Sequence, residues 1–173
     1  TLLDGVLGHS DYSDVQRMGG LTNRTYRVEF ADGSRIMVRI PGEGTEEMID
    51  RSDEKVSTQL ACKLGIDAKL YHFGDDGSKV SEFVPNAVTM CAETMREDKR
   101  IRQAARLLKK LHDCGEDTGI PFDVFDMAAG YEKIIRENNV PMYDDYDEIK
   151  TAVMEVKKHV DSVCDIKNVP CHN

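Results

Sequence analysis

The sequence predicts an α+β fold, an antiparallel β region first and helices after it, on three observations. Tyr26, Val28 and Phe30, and then Ile36, Val38 and Ile40, alternate with polar residues at the two-residue period of half-buried strands. Two further short strand signals at 70–73 and 79–84 flank a Gly-Asp-Asp-Gly turn. Beyond Pro85 strand signals stop, and apolar residues recur at steps of three and four, the spacing of amphipathic helices.

At 173 residues the chain can bury a real core, as one domain or as two small lobes. Its net charge of −9 argues against nucleic acid as a partner, because phosphate-backbone binding needs a concentrated basic face. No stretch approaches the roughly 18 apolar residues of a membrane span, and no signal-peptide pattern opens the chain. Five widely spaced cysteines without a Cys-x-x-Cys suggest neither a disulfide framework nor a zinc site, and fit a reducing cytoplasm.

Taken in order, residues 1–17 give no clear element, and His9 reads as an exposed polar side chain. Met18-Gly19-Gly20-Leu21-Thr22-Asn23 is a glycine-containing turn into the first strand. Such a turn is an ordinary hairpin signal, and its backbone N–H groups can equally hold phosphate oxygens. Ala31-Asp32-Gly33-Ser34 turns the chain into the return strand, where Ile36, Val38 and Ile40 share one face and Met37 and Arg39 the other. If the Arg39 face is open, the residue is a solvent-facing arginine. If it is covered, the guanidinium needs an anionic partner.

Pro41-Gly42-Glu43-Gly44 ends that strand, and a helix is expected over 46–64 with Met48, Ser52, Val56, Leu60 and Leu64 facing inward and Gly65 stopping it. Arg51 and Glu54 share a face of this helix, either as a surface ion pair or with Glu54 reaching the sheet to orient Arg39. After the second hairpin, Glu82-Phe83-Val84-Pro85-Asn86 runs out as a connector. Helices are expected at 97–113, with His112 as a packed or capping residue, then after Pro121, and at 147–163, the last entered through the acidic 143–147 loop.

This order of parts resembles the protein-kinase-like fold, and within it the choline/ethanolamine kinase family, in particular the bacterial choline kinases, with aminoglycoside phosphotransferases more distant. The motifs that carry the resemblance are Gly-Gly-Leu-Thr-Asn-Arg-Thr-Tyr at 19–26, Val-Arg-Ile-Pro-Gly at 38–42, the Arg51/Glu54 pair, Glu-Phe-Val-Pro at 82–85 and Cys-His-Asn at 171–173. The resemblance implies a nucleotide-binding β lobe at 1–84 and the first part of a helical acceptor lobe at 85–173. It implies ATP and Mg2+ as cofactors and a small amino alcohol as substrate, choline first and ethanolamine next. Gly19, Gly20, Leu21, Thr22 and Asn23 would then cover the phosphates. Arg39 would take the place of the strand lysine of kinases, oriented by Glu54, and the backbone of Glu82, Phe83 and Val84 would meet the adenine edge. His172 and Asn173 would begin the catalytic loop.

In that family an aspartate after His-Asn accepts the alcohol's proton, and a further asparagine and aspartate bind magnesium. This sequence stops at Asn173, so those groups are expected beyond it, no metal ligand is assigned within it, and these residues alone are expected not to turn over. Apolar faces such as Ile149, Val153, Val156 and Val160 would then lack partners, leaving exposed patches or self-association. Two alternatives stay open: an aminoglycoside or other small-alcohol kinase, and a non-catalytic nucleotide-binding regulatory domain.

Overall fold

A computed structural model describes residues 2–9, 11–20, 22–45 and 49–164. The chain divides into two compact units, residues 1–118 and 119–173.

The first unit is built on a five-stranded antiparallel sheet. Its strands are β1 (Tyr12–Arg17), β2 (Asn23–Phe30), β3 (Arg35–Pro41), β4 (Leu70–Phe73) and β5 (Lys79–Glu82), in the spatial order β1-β2-β3-β5-β4. One face holds the core. Val28 and Phe30 of β2, Ile36 and Val38 of β3 and Val80 of β5 are buried there with Leu3 of helix α1 (Leu2–Leu7). Each such side chain contributes about 1.5–3 kcal/mol when taken fully out of water. Ile40, expected in the same row, is instead exposed. The β3–β5 ladder ends at the Arg39–Lys79 rung, so Ile40 lies past the last strand that could cover it.

Neither α1 nor β1 is foreseen by the sequence reading. β1 is an edge strand exposed along its whole length, with a register shift between Tyr12 and Asp14, so its sequence carries no alternation to read. His9 is exposed, as expected, and sets its ring edge-on to Phe30 at 5.0 Å.

Helix α2 (Arg51–Lys63) begins later than the expected residue 46, because the Asp50 carboxylate caps it by accepting from the Ser52 and Asp53 N–H groups. Gly65, at φ +64°, follows its end as expected. The helix turns only part of its expected apolar stripe inward: Leu60 and Leu64 are part-buried as expected. Ser52 and Val56 are exposed, while Arg51, Glu54 and Thr58 are part-buried; Met48 lies outside the described residues. In the helix's N-terminal half a charged cluster, not an apolar stripe, occupies the covered face.

A short 3-10 turn (Thr94–Arg96) and helix α3 (Asp98–His112) complete this unit. Lys110 of α3 donates to the Leu64 carbonyl at the end of α2, and Lys63 pairs with Glu116 at 2.7 Å. Ile101 and Leu108 are exposed, and so is His112, which ends the helix instead of packing.

The second unit holds α4 (Val124–Glu137), capped by Asp123, and α5 (Tyr146–Val163). Glu132 of α4 joins the two helices by accepting from Lys150 at 2.5 Å and Tyr146 at 3.3 Å, and also pairs with Arg136 at 2.7 Å. Asp145 stands at the α5 N-cap without a capping side-chain bond, and Asp147 and Glu148 supply negative charge in the first turn. Ile149, Val153 and Val156 are exposed. Among the described residues no helix is long and apolar enough to cross a membrane.

Candidate functional site

The side of the sheet away from the apolar core carries Arg39. Strand parity puts it opposite Ile36 and Val38, and its rung runs across four strands as Thr25, Arg39, Lys79 and Phe73. α2 covers part of this face, and the Arg39 side chain is only 20% exposed. Of the two alternatives that sequence leaves open for Arg39, the covered face is the one found.

Its guanidinium is held on three sides. Nη1 donates to Glu54 Oε1, Nη2 donates to the Gly77 carbonyl at 2.9 Å, and Cζ lies 5.5 Å from the centroid of the Phe73 ring. Nε is buried and has no hydrogen-bond partner among the described residues. Glu54 is shared, since its Oε2 accepts from Arg51 Nη1 at 2.7 Å. Burial pushes the Glu54 carboxyl up, but the hydrogen bonds and charges of Arg39 and Arg51 outweigh it and hold the group below the ordinary carboxylate range. At neutral pH it is a carboxylate bridging two guanidiniums.

The glycine turn joins β1 to β2 beside this cluster. Asn23, where the turn meets β2, pairs with Pro41, and Thr25 pairs with Arg39 on the same face of the sheet. Two residues of strand separate these rungs, about 7 Å. Gly20 is sterically required, because a Cβ there would stand 2.6 Å from the Asn23 carbonyl oxygen; Gly19 has open space around it. Thr22 accepts through its carbonyl from the Gly42 N–H at 3.0 Å, so the turn after β3 props the turn before β2. The Asn23 Oδ1 is buried without a partner among the described residues.

An unpartnered Arg39 Nε–H beside a tight glycine turn fits a ligand bearing phosphates. Among the described residues no group of three or more His, Cys, Asp or Glu side chains stands ready to hold a metal ion.

Glu82 ends β5, with its N–H bonded to the Lys69 carbonyl at 2.8 Å, and Phe83 lies under the Arg35 guanidinium at 5.8 Å. Val84 is exposed. Leu21, His172 and Asn173 lie outside the described residues. The structure thus brings Arg39, Glu54 and the turn residues Gly20, Thr22 and Asn23 to one region.

It also adds Thr45 and Gly77, to which the sequence reading assigns no role, and gives Arg51, read in sequence as the partner of Glu54, a second anchor. Thr45 Oγ1 accepts from Arg51 Nη2 at 2.5 Å and donates to the Gly42 carbonyl at 2.8 Å. Gly77, at φ +83°, could be read from sequence as a turn glycine, but its contact with Arg51 joins distant positions and leaves no local signal.

A family model described as choline/ethanolamine kinase matches residues 15–173. A probable ethanolamine kinase of Arabidopsis thaliana is 32% identical over 112 residues, a match that covers 62% of this chain and 29% of the relative. The crystal structure of the choline kinase LicA from Streptococcus pneumoniae superposes with a TM-score of 0.77 at 27% identity, covering 94% of this chain and 55% of that one. A structure of LicA in complex with AMP gives a TM-score of 0.76 at 26% identity over 94% of this chain and 56% of that one. The chain therefore spans well under two thirds of the relatives it matches.

Proposed function

The chain belongs to the choline/ethanolamine kinase family, and on that premise we propose that it forms the nucleotide-binding side of an enzyme that transfers the γ-phosphoryl group of ATP to the hydroxyl of a small amino alcohol, choline first. The observation that carries this reading is the Arg39–Glu54 pair on the covered face of β3, beside the Gly20 turn.

Phosphoryl transfer asks little covalent chemistry of a protein; it asks for positioning and for positive charge where the phosphates lie. Arg39 supplies a permanent cation whose fork can meet phosphate oxygens, and Glu54 and the Gly77 carbonyl fix its direction. The 19–23 turn would close over the phosphates with backbone N–H groups, and the backbone of Glu82, Phe83 and Val84 would receive the adenine edge. An AMP-bound relative of the same fold supports the nucleotide part of this reading. ATP would supply the phosphoryl group, and Mg2+, when bound, would shield its charge. His172 and Asn173 would open the catalytic loop. A lobe division near 84/85 and a cytoplasmic setting belong to the same proposal.

ADP release by the full chain as its gene encodes it, with ATP and Mg2+ against choline, ethanolamine and an aminoglycoside, tests the proposal. Release that depends on choline or ethanolamine supports it. Release only with the aminoglycoside moves the assignment to another small-alcohol kinase, and ATP binding with no acceptor-dependent release points to a regulatory domain.

A further inference from the structure

We propose that Thr45 and Arg51 are positioning residues that couple the 19–23 turn to Arg39, so that the affinity gained from a nucleotide's phosphates depends on two side chains that do not themselves touch the nucleotide. The inference rests on the nucleotide reading above.

A continuous chain of polar contacts joins the two phosphate-facing parts. The Thr22 carbonyl accepts from the Gly42 N–H, and the Gly42 carbonyl accepts from the Thr45 hydroxyl. The same hydroxyl accepts from Arg51 Nη2, whose other arm, Nη1, donates to Glu54 Oε2. Glu54 Oε1 then accepts from Arg39, and Arg39 Nη2 reaches the Gly77 carbonyl.

Two features make this path a positioning device. The Thr45 hydroxyl spends its one proton on Gly42 and accepts from Arg51, which fixes its orientation. Thr45 is 7% exposed and the Arg51 side chain 10%, so water has little access to replace either bond. Arg51 is also confined from the far side, because Gly77 lies against its Cδ, Nε and Cζ. At the other end, a Cβ on Gly42 would collide with the Thr22 carbonyl, so the turn and its prop have one close-packed arrangement.

The test is the ratio of adenosine to ATP dissociation constants, measured by calorimetric titration of the full chain; the ratio isolates what the phosphates contribute. Thr45→Val keeps the shape and removes the hydroxyl. It is expected to weaken ATP about tenfold, the equivalent of one buried hydrogen bond of about 1.4 kcal/mol, and to leave adenosine unchanged. Thr45→Ser restores the ratio. Arg51→Lys keeps the charge but cannot fork between Thr45 and Glu54, and is expected to lower the ratio as Thr45→Val does; it carries the test if Thr45→Val does not fold.

A folded Thr45→Val or Arg51→Lys protein with the wild-type ratio overturns the inference, as does equal weakening of ATP and adenosine, which marks a merely structural role. A wild-type chain that does not prefer ATP to adenosine overturns the nucleotide reading itself, and is seen before any substitution is made.

Discussion

Gly77 leaves open the space that Arg51 fills: a Cβ at position 77 would stand 2.6 Å from Arg51 Cδ and 2.7 Å from its Nε, while the Gly77 carbonyl holds Arg39. The second hairpin therefore braces both arginines of the cluster, one by shape and one by a hydrogen bond.

Gly33 provides a matched comparison. It sits at nearly the same φ, +82° against +83°, but with nothing within 4 Å of its would-be Cβ. Gly33→Ala should cost only the left-handed backbone penalty, about 1–2 kcal/mol. Gly77→Ala should cost that and displace Arg51 as well. Thermal unfolding should rank wild type, Gly33→Ala and Gly77→Ala in falling order, with only Gly77→Ala losing ATP affinity. Equal loss in the two variants would remove Gly77 from the site.

Glu54 ties the cluster to pH. Its folded pKa is lowered, so its contribution to stability is complete above its ordinary value of 4.5 and disappears as pH falls through the lower folded value. Glu54→Gln cannot satisfy both guanidiniums and should cost about 1–3 kcal/mol at pH 7. In urea unfolding, the gap between wild type and Glu54→Gln should be constant from pH 7 down to about 5 and narrow below that. A gap that does not change with acidification would show that the carboxylate charge is not what holds the pair.

A second acid-sensitive point lies in the 119–173 unit. Hydrogen bonds from Lys150 and Arg136 outweigh partial desolvation and bring the Glu132 carboxyl from 4.5 down to about 2. The link between α4 and α5 should thus be intact above pH 4.5 and lost progressively as pH falls toward about 2. Hydrogen exchange in α4 and α5 as a function of pH checks this. Glu132→Gln should raise exchange there at pH 6 and flatten the acid response, with the β sheet unaffected.

The legible parts of the fold are those with one wet and one dry face. Val28, Phe30, Ile36 and Val38 alternate because the sheet buries one side against α1, and that alternation is visible in one dimension. β1 carries no such mark, since all six of its side chains are exposed, and α1 is too short to show a period. α2 is legible as a helix but not in the orientation of its N-terminal half, where Ser52 and Val56 are exposed while Glu54 is covered and bridges Arg51 of the same helix to Arg39 of β3. Parity alone puts Arg39 opposite the core; that its face is covered depends on α2, which no local pattern reveals. Thr45 enters the site through its tertiary contact with Arg51, and Gly77 through contacts with both Arg51 and Arg39.

ATP titration of the wild-type chain and of Arg39→Ala, with circular dichroism to verify folding, tests most directly whether Arg39 faces a nucleotide's phosphates. Removing Arg39 leaves Glu54 paired with Arg51, so the variant should still fold. The expected result is saturable ATP binding by the wild type, tighter than AMP, with most of that difference gone in Arg39→Ala. A wild-type chain that does not bind ATP, or a folded Arg39→Ala that binds it as tightly as the wild type, would contradict the assignment.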